Sequence, residues 1–338
     1  LADFTQRPLE DIPFKIDDES KINLPRDMAI RRIVLRFLLE VVNPASLPVN
    51  FEDDILNILK KIRIVRNGSN VKFDMTGRMM FFTEKNTKGT TPDKTDLPTT
   101  ISTTVNGEVT LAIDFATNRQ NQRDTSALLK TRGPRLSSLT LGITFGNIND
   151  VQSANQGVIT VANSKVEVEI EEVTGTTVSK GANVDVNTPD YKPVDYIETT
   201  RTIDLENSAK TSFDNDTQKE NVIPAPANLV ANGFMIVDDS TGAKDDTFIT
   251  SLKIQRESPF QKRIIQRTWK SARKENKAEH SLEVSSDGFL YWDYVDVLGI
   301  GLINNGAEGD VKYRFLKIAT VSDRIELYTK SFAVAALT

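Results

Sequence analysis

Apolar and polar residues alternate over several short stretches of the chain. In Val166-Glu-Val-Glu-Ile170 the aliphatic side chains take one face and the carboxylates the other, the period-two pattern of a half-buried antiparallel strand. The same pattern predicts strands over residues 61–66, 109–115, 139–145, 158–161, 249–254, 289–295, 311–318 and 325–332. Long polar connections are expected at 85–107, 117–134 and 175–193, where Thr, Pro, Asp, Gly and Asn accumulate. Many short strands joined in this way predict a β sandwich or barrel. One stretch fits two periods. Ile30, Ile33, Val34, Phe37, Leu38 and Val41 follow helical spacing, whereas Ile33, Leu35, Phe37, Leu39 and Val41 follow strand spacing, so periodicity leaves both open. A helix is expected over 260–277, after Pro259: Ile264, Ile265, Thr268, Trp269 and Ala272 gather on one side and Arg263, Arg267, Lys270, Lys274 and Lys277 on the other.

The chain also matches itself. Ile58-Leu-Lys-Lys-Ile-Arg-Ile-Val-Arg-Asn-Gly68 and the residues up to Asn86 align without gaps on 248–276, placing Ile62 on Leu252, Ile64 on Ile254 and Arg66 on Arg256, a constant offset of 190. Downstream, Gly107-Glu-Val-Thr-Leu-Ala-Ile-Asp114 corresponds to Asp287-Gly-Phe-Leu-Tyr-Trp-Asp293. Each copy has alternating apolar residues, an arginine, a turn, and a segment ending in a charged cluster. Two similar domains are therefore expected.

Composition narrows the chemistry. The 338 residues contain 42 Lys plus Arg and 47 Asp plus Glu, for a net charge of -5, with no Cys and one His. Disulfides, thiolate zinc sites and Cys nucleophiles are excluded, and the charge balance does not support specific or generic nucleic-acid binding. Any Ser-His-Asp chemistry would have to pass through His280, which sits in polar surroundings and is expected to be an exposed loop or helix-end residue. No run approaches the ~20 apolar residues of a membrane span, and the opening Leu1-Ala-Asp-Phe-Thr5 lacks a secretion pattern, so export is not expected. Asp238, Asp239, Asp245 and Asp246 bracket a short turn and are the calcium candidates; an ordinary polar turn is the competing reading. Asp214-Asn-Asp216 lacks the glycine of a calcium loop, and Gly299-Ile-Gly301 lacks the third glycine and following helix of a dinucleotide loop. Trp292 and Tyr294 share a strand face with Leu290 and are expected in the core. The basic residues Arg263, Arg267, Lys270, Lys274 and Lys277 form a stripe suited to anionic lipid headgroups or to a neighbouring subunit's carboxylates, with a solvated helix face as the plainer reading.

Ile22-Asn-Leu-Pro25, Ile30, Ile33-Val-Leu-Arg-Phe37, the alternating residues 58–66 with Asn67-Gly68, and the apolar-rich segment to Phe82 stand in the order found in one structural family. The chain resembles the double jelly-roll major capsid proteins of icosahedral bacterial viruses with an internal membrane, most closely the corticovirus type, with tectiviruses and Flavobacterium phages as relatives. These motifs cover about the first quarter of the chain, and the internal repeat extends the case to the rest. The resemblance implies an all-β chain of two eight-stranded jelly-roll barrels in tandem, with a few short helices and long loops, and it favours a strand over 33–41. It implies an N-terminal arm (1–20), a first jelly roll (21–175), a linker or loop (176–193) and a second jelly roll (194–338). Gly77, in the middle of the expected first helix, departs from a good helix former.

The implied role is a viral coat: a homotrimeric, pseudo-hexagonal capsomer tiling an icosahedral shell around an internal membrane. Its partners would be other copies, minor capsid and vertex proteins and possible lipid contacts, and its location the virion after synthesis in the host cytoplasm. No catalytic residues and no cofactor are expected. The rival readings are a two-domain β-sandwich glycan binder or glycoside hydrolase, which would need two carboxylates ~5 to 9.5 Å apart, and a phage spike or tail component.

Overall fold

The computed structural model describes residues 2–42, 52–98, 104–115, 127–131, 136–151, 157–179, 182–188, 195–204, 221–222, 229–239, 241–247, 249–256, 262–280, 288–294, 311–317 and 323–332. The chain divides into two compact units, Leu1–Tyr196 and Ile197–Thr338.

The first unit contains β1 (Ala2–Pro8), β2 (Ile12–Pro13), β3 (Glu19–Asn23), β4 (Ala29–Val42), α1 (Asp54–Ile58), β5 (Leu59–Arg66), β6 (Asn70–Met75), α2 (Gly77–Lys88), β7 (Lys94–Thr95), β8 (Val105–Asp114), β9 (Leu139–Phe145), β10 (Val158–Ile159), β11 (Lys165–Ser179) and β12 (Ala182–Asp185). One sheet runs β1-β11-β4-β8-β7, with β2, β10 and β12 paired at its margins, and the facing strands run β3-β9-β5-β6. Most strands adjacent in space, such as β1 and β11, β4 and β11, and β3 and β9, are distant in sequence, the mark of a jelly roll. The ambiguous stretch is the strand β4. Ile33, Leu35, Phe37, Leu39 and Val41 are buried, while Arg32, Arg36 and Glu40 lie on the opposite, wetter face. Phe37 meets Phe14 and Phe145 between the sheets, with ring centroids 4.8–6.4 Å apart.

The second unit contains β13 (Tyr196–Asp204), β14 (Asn221–Val222), β15 (Leu229–Asp238), β16 (Ile249–Arg256), β17 (Lys262–Thr268), α3 (Trp269–Glu279), β18 (Phe289–Asp293), β19 (Val311–Lys317) and β20 (Asp323–Phe332). Its strands run β18-β15-β20-β13 and β14-β19-β16-β17. Phe234 lies at the centre of its core, edge-on to Trp292, Tyr313 and Phe315 at 5.1–5.9 Å.

The internal repeat holds at the offset of 190 through β5 and β16, but beyond them the second copy runs two residues longer, so that Ile265 stands for Phe73 and Thr268 for Thr76 and the match is not gapless. β5 pairs with β6 and β9 as β16 pairs with β17 and β19, and the ladder irregularities fall at matching places. These are Leu59/Lys61 and Ile249/Ser251 in one ladder, Ile64/Val65 and Ile254/Gln255 in the other. Ile62, Ile64, Leu252 and Ile254 are all fully buried. Bulges are designed features rather than noise, so their coincidence marks two copies of one unit.

Four sequence expectations need correction. The helix expected over 260–277 is a strand followed by a helix: 262–268 form β17, hydrogen-bonded to β16, and the helix starts only at Trp269. The ladder with β16 satisfies the backbone there and overrides the local helical spacing. Thr268 then caps α3 by accepting the Ser271 N–H at 3.2 Å, as Thr76 caps α2 by accepting that of Met79 at 3.2 Å. Gly77 is the first residue of α2, not its middle. A Cβ there would stand 2.6 Å from Leu59 Cβ and 2.9 Å from Leu56 O, so only glycine permits this approach. The stretch 175–193 is not simply a loop, because β11 continues to Ser179 and turns back as β12. Residues 1–20, expected as an arm, include β1 and β2, both paired with β11. Most of 117–134 lies outside the described residues.

Candidate interaction surfaces

Lys270, Lys274 and Lys277 form an exposed row along α3, opposite the buried Trp269, Ala272 and Asn276. The five-residue stripe is not one helix face, however. Arg267 belongs to β17 and places its Nε 3.1 Å from Glu275 Oε2, and Arg263 is also on β17, its side chain outside the described residues. The geometry therefore brings three of the five cations together.

The four aspartates flanking the 240–244 turn do not converge. Asp238 accepts from the Thr241 hydroxyl at 3.1 Å, Asp239 receives Arg324 at 2.7 Å, and Asp245 accepts the Thr247 N–H at 2.8 Å. Asp246 is buried and turned elsewhere: it accepts the Trp269 indole N–H at 2.6 Å and the Gly288 N–H at 3.0 Å, and Arg273 lies 3.1 Å away. Among the described residues no three acidic or imidazole side chains group around a common point. Asp246 thus ties the turn after β15 to the start of α3. Residues 214–216 and 299–301 lie outside the described residues.

His280 is at the end of α3, as expected, but buried rather than exposed. Asn276 donates from Nδ2 to the Tyr291 carbonyl, which draws the helix end onto β18 and sets the imidazole edge-on to the Tyr291 ring at 5.4 Å. Leu290, Trp292 and Tyr294 are core residues. Burial pushes the Tyr294 hydroxyl well above its ordinary range, and it donates to Asn232 Oδ1.

Sequence reasoning missed two charged groupings in the first unit. On the outer face of β4, β8 and β11, Arg36 holds Glu108 through two bonds of 2.5 and 2.9 Å and reaches Glu167 at 3.2 Å. Beside it, Arg32 pairs with Asp114 at 2.5 Å, and Lys88 lies 3.1 Å from the same carboxylate. The bond from Arg36 holds Glu108 below the usual carboxylate range. Burial pushes Asp114 up, but Lys88 and Arg32 outweigh it and its carboxyl ends low. The period-two rows Arg32/Arg36 and Glu167/Glu169 were the available signal, but not their pairing. The second grouping is partly buried: Asp195 receives both the buried Lys72 and, at 3.3 Å, Arg66. Burial lowers the proton affinity of both cations, against the attraction of Asp195.

Comparisons with protein-family models and with curated proteins find no match. Comparison with solved structures finds extensive likeness. The STIV MCP, from Sulfolobus Turreted Icosahedral Virus, matches over 99% of this chain and 99% of that chain, with a TM-score of 0.73 and 15% identity. The major capsid protein P2 from bacteriophage PM2 matches over 98% of each chain, with a TM-score of 0.59 and 12% identity. The PBCV-1 virus capsid matches over 98% of this chain and 94% of that chain, with a TM-score of 0.65 and 11% identity. At these identities the likeness concerns the fold, and it covers both units at once: the chain is a double jelly roll of the kind found in viral major capsid proteins.

Proposed function

We propose that this chain is the major capsid protein of an icosahedral virus with an internal membrane, and that it acts as a homotrimer. The observation that carries the reading is the match over 99% of both chains with the STIV MCP, which takes in the tandem pair of barrels rather than one of them. A single jelly roll hosts many functions. A tandem pair has a specific geometric use: three chains around a threefold axis present six similar barrels, and such a molecule fills a lattice site with six neighbours. In this reading the partners are further copies, minor capsid and vertex proteins and the enclosed lipid. The chain is a structural component of the virion, with no catalytic step and no cofactor. The row Lys270, Lys274 and Lys277 is the face of the second barrel suited to an acidic surface, either lipid headgroups or a neighbouring subunit's carboxylates.

Negative-stain microscopy of particles containing the chain is expected to show a lattice of hexagonal capsomers. A stable monomer that binds or cleaves oligosaccharide would overturn the proposal in favour of a glycan-active protein.

A further inference from the structure

We infer that the lysine row of α3 docks on the acidic end of the first barrel's outer sheet face in a second copy of the chain, belonging to a neighbouring trimer. The inference rests on the capsid reading, which supplies the second copy. On α3, Lys270, Lys274 and Lys277 are exposed, and none of them meets a carboxylate among the described residues. The other charges around them are already engaged: Arg273 lies 3.1 Å from Asp246, and Glu275 holds Arg267 at 3.1 Å. The row is therefore an uncompensated charge carried by three lysines on one helix face. Side chains four and three residues apart recur about 6 Å and about 4.5 Å along a helix axis.

The complementary surface is the outer face of β11, β4 and β8. Register places Lys165, Glu167 and Glu169 of β11 beside Leu38, Arg36 and Val34 of β4, and Leu38 beside Glu108 of β8. The cations at this end are engaged by their neighbours: Arg36 by Glu108 and Glu167, and Lys165 by Asp11 at 2.8 Å and Glu167 at 3.0 Å. Those bonds leave an excess of acid. Glu40 accepts from Asn163 Nδ2 at 2.7 Å, and neither it nor the exposed Glu169 meets a cation among the described residues. Asp11, Glu40, Glu108, Glu167 and Glu169 against Arg36 and Lys165 are five negative charges to two positive, a net of -3 that faces the three lysines. Glu167 and Glu169 stand about 6.8 Å apart along the strand, close to the spacing of Lys270 and Lys274. Sign, excess and spacing match across the contact.

A lipid surface fits the row less well. Basic segments that hold anionic membranes gather about four to eight cations, and helices that settle in the interface turn aromatic or aliphatic side chains toward it. The row on α3 has three lysines, and its Trp269 and Ala272 are buried in the second barrel's own core. Exposed charge pairs are screened by salt, so this contact is reversible and distinct from the obligate one within a trimer.

Static light scattering of the full chain at about 50 mM and about 300 mM salt tests it. The wild type is expected to associate beyond the trimer at the lower salt and to return to the trimer at the higher. Lys270→Glu with Lys274→Glu, and separately Glu169→Lys, should each weaken that association about ten-fold and leave the trimer and its thermal midpoint unchanged. Should the new lysine disturb the strand ladder, Glu169→Gln replaces it, with a smaller loss expected. All three substitutions together should weaken association about ten-fold rather than about a hundred-fold, because the reversed charges again face opposite signs. Association unchanged by either reversal, or losses that multiply in the combined variant, would overturn the inference and leave the trimer, and with it the capsid reading, standing. A chain that stays monomeric throughout would overturn both. Binding to vesicles of phosphatidylglycerol and phosphatidylcholine that the lysine reversal abolishes, with association between trimers unaffected, would overturn it in favour of lipid.

Discussion

The two barrels share a strand plan and differ in how they dress it. In the first, α2 follows β6 and is almost entirely buried, with Met79, Met80, Phe81 and Phe82 all sequestered and α1 packed against it. In the second, α3 follows β17 in the equivalent place but buries only Trp269, Ala272 and Asn276 and turns lysines to solvent. The connection between the preceding strands makes the difference. Between β4 and β5 it forms α1, whereas between β15 and β16 it forms the turn whose Asp246 anchors Trp269 and Arg273. The central strands differ likewise: β4 has a row of ion-paired charges on one face, while Leu229–Val237 of β15 are buried on both. A duplicated β framework therefore tolerates divergence in its connections and outer faces as long as the inward rows and bulges are kept.

The sharpest way to break this comparison is to attack the equivalent inward positions. Ile64→Asp and Ile254→Asp should each destabilise their barrel by about 4 kcal/mol or more, because an unpaired carboxylate enters an apolar core. Urea denaturation followed by far-ultraviolet circular dichroism measures both, and tolerance of one substitution but not the other would end the equivalence. Next in size, Trp269→Ala should cost roughly 3 to 5 kcal/mol through the cavity left in the second core. Loss of the indole also leaves the buried Asp246 short of a donor. Thr76→Ala and Thr268→Ala should each cost about 1 kcal/mol, and by similar amounts, since both remove one hydroxyl acceptor from a helix start. A clear inequality in thermal midpoints would show that the caps are not equivalent. Smallest of all, Lys270→Ala should stay within about 0.5 kcal/mol, as expected for an exposed helix residue with no structural task. A larger loss of stability would place Lys270 within the fold rather than on a surface free for partners.

Much of the framework was legible in the sequence wherever a strand had one wet face. Val166-Glu-Val-Glu-Ile170 and Ile62/Ile64 declare their register because every second residue must avoid water. β15 escaped for the opposite reason: a strand buried on both faces has no polar alternation to display. β17 was hidden by coincidence, as its residues continue the spacing of α3 and only pairing with β16 separates the two. At the candidate surfaces, Lys270, Lys274 and Lys277 were readable because exposure of a charged helix face is a local property. Asp54, Asp195 and Asp246 were not, since each is an ordinary polar residue locally and acquires its burial from segments distant in the chain. His280 misled for the same reason: its polar neighbours say nothing of the Tyr291 ring it meets.

The central claim is that two equivalent barrels in one chain serve threefold closure. Light scattering on the purified chain tests it most directly. The proposal expects a particle of about 113 kDa, three times the chain mass of 37.7 kDa, that withstands dilution and moderate salt as an obligate interface at or above ~2,000 Å² should. A monodisperse species at the mass of one chain, unchanged on concentration, would contradict it.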